Sequence, residues 1–311
     1  MSTDAELRRT IEFILSERVT ELERRPSESR SSFELDELDV RLAGGRRLEL
    51  MLKYVGRLEP AVRAVKPAFL YDPLREIELY RDVLEPAGLG TPRFFGADCE
   101  RGWLFIERVQ GVELFQVGER ATWEFVARWL AGMHGQLAGD TARAARAVRY
   151  DRPYLERWPR RALAFARERG DKPAANAIAQ IANAYGPVLE RLLALSRTVV
   201  HGEFYASNVL VDASPDPRRV APVDWEQAGV GPGLIDLAAL TAGRWSDADR
   251  AAIASAYAKA AGGDLTADDL EACRLHVALQ WLGWSSEWSP PREHRHDWLA
   301  EAWRSAETLG L

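Results

Sequence analysis

The sequence predicts an α+β chain in two parts, a mixed strand-and-helix first third and a largely helical remainder. Three observations lead there. Period-two alternation broken by tight turns fills much of residues 1–110, a single helical pattern interrupts it at residues 72–85, and the helical period dominates from Gly111 onward. The 311 residues, 47% hydrophobic and 28% charged, have the composition of a folded globular chain with room for about two domains.

The elements follow in order. Thr3-Asp4-Ala5-Glu6 has the spacing of a capping box, and Leu7, Ile11, Ile14 and Leu15 recur on one face of the helix it would start. Residues 24–32 are polar and turn-forming. Residues 33–42 read as a strand, Ala43-Gly44-Gly45 as a tight turn, and residues 48–55 as a second strand. In that strand Leu48, Leu50, Leu52 and Tyr54 share one side, while Glu49, Met51 and Lys53 share the other. Residues 72–85 predict a helix ended by Pro86 and Gly88, and strands at 93–97 and 103–109 flank a turn at 98–102. Helices are expected at 123–137, 153–168, 174–195, 247–261, 266–284 and 296–309. A β-like passage at 198–225 is expected to form a hairpin among them. The boundary falls near residues 108–113, dividing an N-lobe, 1–110, from a C-lobe, 111–311.

Charge and cysteine usage exclude several classes. A net charge of −6, from 41 basic and 47 acidic residues, argues against a nucleic-acid partner. No apolar run is long enough to span a bilayer, so no membrane partner is expected. The opening MSTDAELRRT lacks the basic-then-apolar pattern of a secretion signal, and Cys99 and Cys273 lie far apart. A cytoplasmic location is the expectation. Lysine is scarce: Lys53, Lys66, Lys172 and Lys259 stand against 37 arginines, so a lysine inside a strand carries weight.

The densest chemistry lies in His201-Gly202-Glu203-Phe204-Tyr205-Ala206-Ser207-Asn208, followed by Asp224-Trp225-Glu226. A carboxylate and a carboxamide on a loop entering a strand, with a second carboxylate on the returning strand, can converge on one point. Asn and Asp oxygens are hard donors suited to Mg²⁺, which takes one or two carboxylates plus substrate phosphates. A separate carboxylate beside that ion can accept a hydroxyl proton, and a lysine can neutralise phosphate charge. Lys53 would be that lysine. Glu76 or Glu78 on the next helix would orient it, with Glu76 favoured because it shares a helical face with Tyr80.

These residues carry a resemblance. HGEFYASNVLV resembles the HGDxxxxN catalytic loop of the aminoglycoside phosphotransferase and choline kinase-like family, and VDWEQAGVGPGLIDLA resembles its metal-binding segment. LMLKYV resembles the family's lysine strand, REIELYRDVL the helix with the partner glutamate, WLFIERVQG the hinge, and WLAGMHGQL a helix ending in a buried histidine. The matches keep family order over roughly residues 20–245. The resemblance implies a two-lobed protein-kinase-like fold, with a mixed antiparallel-sheet N-lobe and a mainly helical C-lobe. It also implies ATP and Mg²⁺ as cofactors and transfer of phosphate to a hydroxyl of a small molecule (an antibiotic, an aminoalcohol or a sugar).

Residue by residue, the resemblance makes Asn208 and Asp224 the metal ligands and Glu203 the base. Lys53 would touch the phosphates, held by Glu76, and Glu107 and Val109 would offer backbone groups to adenine. His201 would belong to the catalytic machinery in a hydrogen-bonding role, with Asp236 bracing the loop through it. No GxGxxG is present, so residues 27–32, with Ser29, Ser31 and Ser32 among them, would cover the phosphates through amides and hydroxyls.

One residue departs from the pattern: Glu203 stands where the family has Asp. The added methylene moves the carboxylate by about 1.5 Å. The site would then be rebuilt around Glu203, or work with a slower base, or belong to a catalytically impaired nucleotide-binding regulatory protein. No DFG or APE-type segment follows Asp224, which argues against a protein kinase. Trp281, Trp284, Trp288, Trp298 and Trp303 crowd the final quarter, mostly as expected core. Residues 264–311 also hold nine acids against four arginines, so a cationic acceptor is among the candidates. His294-Arg295-His296 is expected to be surface and not a metal site, and His134 a buried structural histidine.

Overall fold

The computed structural model describes residues 3–28, 32–58, 60–243, 245–263, 265–285 and 296–311. Helix α1 (Asp4–Leu15) begins with the expected capping box. The Thr3 hydroxyl accepts from the Glu6 amide at 3.3 Å, and the Glu6 carboxylate accepts from the Thr3 amide at 2.9 Å. Strands β1 (Val19–Pro26), β2 (Phe33–Leu42), β3 (Arg47–Leu58), β4 (Phe94–Asp98) and β5 (Trp103–Glu107) form one antiparallel sheet in the order β1-β2-β3-β5-β4. The two faces of β3 behave as the alternation predicts. Leu50 and Leu52 pack with Leu7 and Ile11 under α1, whereas Val55 joins a core continuous with the helical region.

Two local expectations are corrected in this region. The first is β1, whose last three residues, 24–26, fall in the stretch read as turn-forming and whose first five carry no assignment. It is an edge strand with mostly solvent-facing side chains, so no apolar alternation marks it. The second is the helix of residues 72–85. It is α3 (Arg75–Leu79), a π-helical turn at Tyr80–Leu84 and a last turn α4 (Glu85–Ala87), closed by Gly88 at φ 63°. Pro86 lies inside it, and the missing N–H of proline accounts for the widened ladder before it. A short helix α2 (Pro60–Val65), unmarked by any periodicity, precedes α3.

Beyond the sheet the chain is mainly helical. Strand β6 (Val112–Glu113) and 3₁₀ turn Leu114–Gln116 lead into α5 (Arg120–Leu137). After β7 (Val148–Arg149) come α6 (Arg152–Glu168), α7 (Lys172–Ala184), α8 (Gly186–Ala194) and β8 (Arg197–Val200). Residues 174–195, expected as one helix, break at Tyr185, ahead of Pro187. Strands β9 (Val209–Asp212) and β10 (Arg219–Pro222) form the expected hairpin, and β6 pairs with β9. β8 belongs elsewhere: it pairs with β11 (Gly229–Pro232), which also pairs with β7. Residues 201–208 therefore span two small sheets. Helices α9 (Leu234–Leu240), α10 (Asp247–Ala261), α11 (Ala267–Leu282) and α12 (Trp298–Thr308) complete the chain. Among the described residues no helix is long and apolar enough to cross a membrane.

Candidate active site

Lys53 enters from the inner face of β3, opposite Leu35 on β2 and Leu104 on β5. Only 3% of it is exposed. Its ammonium sits 2.7 Å from Glu76 on α3 and also bonds the Asp224 carboxylate. Glu76, not Glu78, is the partner; Glu78 points to Arg146 at 2.9 Å. The second Glu76 oxygen accepts from the Trp225 amide at 3.1 Å, tying α3 to the segment after β10. Burial pulls the lysine down, but Asp224 and Glu76 outweigh it and hold it above its usual range. Burial likewise works against the Asp224 carboxylate, and the Lys53 ammonium holds it below the usual carboxylate range. Burial pushes Glu76 up to about 7 against the pull of Lys53.

The loop after β8 is fixed by its backbone. Asp236 on α9 accepts from the amides of His201 (2.7 Å) and Gly202 (2.9 Å), so its brace runs through the main chain and not the imidazole. The same carboxylate meets His134 Nε2 at 3.1 Å, and His134 Nδ1 meets the Tyr257 hydroxyl at 2.9 Å. Both ring nitrogens of His201 are occupied: Nε2 donates to the Val223 carbonyl at 2.9 Å and Nδ1 accepts from the Glu203 amide at 3.3 Å. Gly202 has φ 84°, and a Cβ there would lie 2.4 Å from the Gln227 carbonyl oxygen, so only glycine fits.

Asn208 Nδ2 donates to the Glu203 carbonyl at 3.0 Å, and the Asn208 carbonyl accepts from Val223 at 2.9 Å. His201 and Asn208 thus clamp Val223 from both sides, next to Asp224. Asp224 adopts φ 65°, ψ 60°, the left-handed region that Asp tolerates better than most residues and that clusters at functional sites. The Asn208 carboxamide oxygen has no hydrogen-bond partner among the described residues, and it and the Asp224 carboxylate are both hard oxygen donors. The Glu203 carboxylate takes no hydrogen bond or ion pair among the described residues. Burial, with Glu226 and Asp224 nearby, pushes it up to about 8.

The sequence reading missed two residues here. Lys66, just past α2, bonds Glu226, whose other oxygen accepts from the Ser32 hydroxyl at 2.7 Å. Lys66 and Lys53 lie 5.3 and 5.2 Å from the same Phe33 ring. The available signals were the scarcity of lysine and the position of Glu226 two residues after Asp224. Ser29 and Ser31 lie outside the described residues, as do Trp288, His294 and Arg295.

Around the periphery, the Glu107 carboxylate takes both arms of Arg219 at 2.6 and 2.7 Å, and its amide already donates to Arg93. The Val109 amide and carbonyl take no hydrogen bond among the described residues. Trp281 stacks on Trp298 at 5.2 Å and its indole N–H bonds the Tyr205 hydroxyl, so an aromatic wall adjoins the loop bearing Glu203. Among the described acids of the last segment, Asp269, Glu271 and Glu301 are paired with neighbouring elements. Asp269 meets Arg191 at 2.9 Å, Glu271 holds Arg274 and Ser305, and Glu301 holds Arg250 at 2.6 Å.

A family model described as the phosphotransferase enzyme family matches residues 44–276, a span holding Lys53, Glu203, Asn208 and Asp224. The chain belongs to that family. Solved structures of similar fold include choline kinase from Streptococcus pneumoniae, 14% identical over 99% of this chain and 98% of that one, at TM-score 0.62. An aminoglycoside phosphotransferase of Streptomyces rimosus, in complex with ADP and streptomycin, is 20% identical over 84% and 93%, at TM-score 0.55. A putative fructosamine-3-kinase from Thermobifida fusca is 17% identical over 97% and 98%, at TM-score 0.57. No protein of curated function matches the sequence as a relative. This phosphotransferase therefore shares the kinase-like fold of small-molecule kinases, with an antiparallel sheet before a helical region.

Proposed function

We propose that this phosphotransferase moves the γ-phosphoryl group of ATP to a hydroxyl of a small molecule. The observation that carries the reading is the convergence of Lys53, Glu76 and Asp224, which lie on three elements far apart in the chain, beside the loop bearing Glu203 and Asn208. Lys53, oriented by Glu76, neutralises phosphate charge. Val109, with its backbone groups unspent, and the Glu107 carbonyl would face the adenine. Ser32 belongs to the segment that would cover the phosphates.

Asn208 and Asp224 would hold Mg²⁺. The donor set fits: one carboxylate and one carboxamide oxygen, with the carboxylates of Glu76, Glu203 and Glu226 around two lysines, Lys53 and Lys66. Among the described residues no group of three or more His, Cys, Asp or Glu side chains forms a metal cage. That accords with an ion that relies on phosphates and water for its remaining ligands. When bound, it supplies positive charge to the phosphates.

Glu203 hydrogen-bonds the acceptor hydroxyl and takes its proton as the oxygen–phosphorus bond forms. The bond from the γ-phosphorus to the bridging oxygen breaks, and ADP leaves with that electron pair. His201 positions Glu203 through its amide and acts neither as acid nor as base. The wall of Tyr205, Trp281 and Trp298 suits an acceptor with a flat or apolar face, such as a sugar ring or a choline-like headgroup. The test is ADP release with MgATP across aminoglycosides, choline, ethanolamine and ketoamines. Turnover with one of them, lost in Glu203→Gln, is expected. MgATP binding without turnover in either wild type or Glu203→Asp would overturn the reading in favour of a nucleotide-binding protein.

A further inference from the structure

We propose that Lys66 is a second catalytic cation, which contacts the phosphoryl group in flight. The proposal rests on the functional reading above and adds to it a residue outside the matched motifs. The loop His201-Gly202-Glu203-Phe204-Tyr205-Ala206-Ser207-Asn208 holds a base and a metal donor but no lysine or arginine. Lys53 is already committed to Glu76 and Asp224. Yet a phosphoryl group in transfer spreads negative charge over its equatorial oxygens and calls for cations around them.

Lys66 is placed for this. It is 3% exposed at its side chain, and its ammonium bonds Glu226 alone among the described residues. An ammonium has three N–H bonds, so two remain unspent inside the protein. Its charge acts on both Glu203 and Asp224, where it favours the ionised carboxylates. Phe33 sets its ammonium on the same ring as that of Lys53, and Glu226 ties it to the segment that bears Asp224, so a second buried cation stands close to the first.

The supports of Lys66 are rigid. Its amide donates to Val62 at 2.8 Å, closing α2, and Pro67 follows. Arg75, 6% exposed, donates to Leu70 at 2.8 Å and to the Glu226 carbonyl at 2.7 Å. The stretch bearing Lys66 is thereby bolted to the stretch bearing Asp224 and Glu226. Phe33 carries both ammonium groups against one ring. Its ion-pair partner, Glu226, is buried with it and stands two residues after Asp224.

The test needs no acceptor. Binding of MgADP is compared with binding of MgADP plus aluminium fluoride, which imitates the planar phosphoryl group. Lys66→Met is expected to keep MgADP affinity and to lose about tenfold or more of the gain from fluoroaluminate. Lys66→Arg should keep part of that gain. Because Lys66→Met strands a buried carboxylate, the double variant Lys66→Met/Glu226→Gln is measured alongside, and the same selective loss is expected. An undiminished fluoroaluminate gain, or equal weakening of both complexes, would overturn the role of Lys66. Absence of MgADP binding in the wild type would instead overturn the functional reading beneath it.

Discussion

Glu203 concentrates the questions at the scale of single residues. Its carboxylate, one methylene longer than the family's aspartate, sits among Asp224 and Glu226 and is pushed up to about 8. Proton acceptance needs the ionised form, so kcat/KM should fall as pH drops below about 8, which the pH profile of ADP release checks. The stability effect has the opposite sense. The folded pKa lies above the unfolded value of about 4.3, so the fold retains a proton that the unfolded chain has lost between those limits. Stability should therefore decline as pH rises through that window, and Glu203→Gln should remove the decline. At pH 8 Glu203→Gln is expected to raise Tm by about 2–4 °C for each kcal/mol relieved, while transfer falls by about 10²–10⁴-fold and nucleotide binding survives. Asp224→Ala should abolish Mg²⁺-dependent nucleotide binding, measured by calorimetry with and without the ion. Lys53, Asn208 and Asp224 were legible because each sits in a short motif of its own. Lys66 was not, since it follows a helix of six residues whose partner, Glu226, is 160 residues away.

At the scale of elements, the loop at 201–208 owes its shape to main-chain bonds from Asp236 and to the close passage of Gly202 past Gln227. Gly202→Ala must endure a left-handed backbone, costing about 1–3 kcal/mol, and a Cβ 2.4 Å from a carbonyl oxygen. Urea unfolding should show a loss at least that large. Asp236→Asn should loosen the same loop and lower kcat more than it raises KM for ATP. Strands β2 to β5, the β9–β10 hairpin and most helices were readable from alternation and period, down to the ends of β2 and α10. β1 was not, because an edge strand with mostly wet side chains carries too few apolar residues, Val19 and Leu22, to show an alternation. The π-helical turn was hidden because Pro86 reads as an end, although it lies within the helix whose first turn carries Glu76.

At the scale of the molecule, ligand binding should couple to global stability. MgATP at a hundredfold excess over Kd is expected to stabilise the fold by about 2.7 kcal/mol, and thermal melts with and without Mg²⁺ measure it. The two-part α+β architecture was legible from the change of period near residue 110. The way its parts are held together was not, because it depends on residues distant in sequence meeting across the junction. Arg219 on β10 is the chief example: it reaches the Gly90 carbonyl at 2.7 Å, the Thr91 carbonyl at 3.0 Å and both oxygens of Glu107. A guanidinium that grips both ends of β4–β5 from the opposite side leaves residues 108–111 little freedom to swing. Nucleotide capture in this enzyme should then leave its overall dimensions nearly constant, with small-angle scattering curves for the free and MgATP-loaded chain superimposing, and the work of enclosure falling to the rim near Ser32.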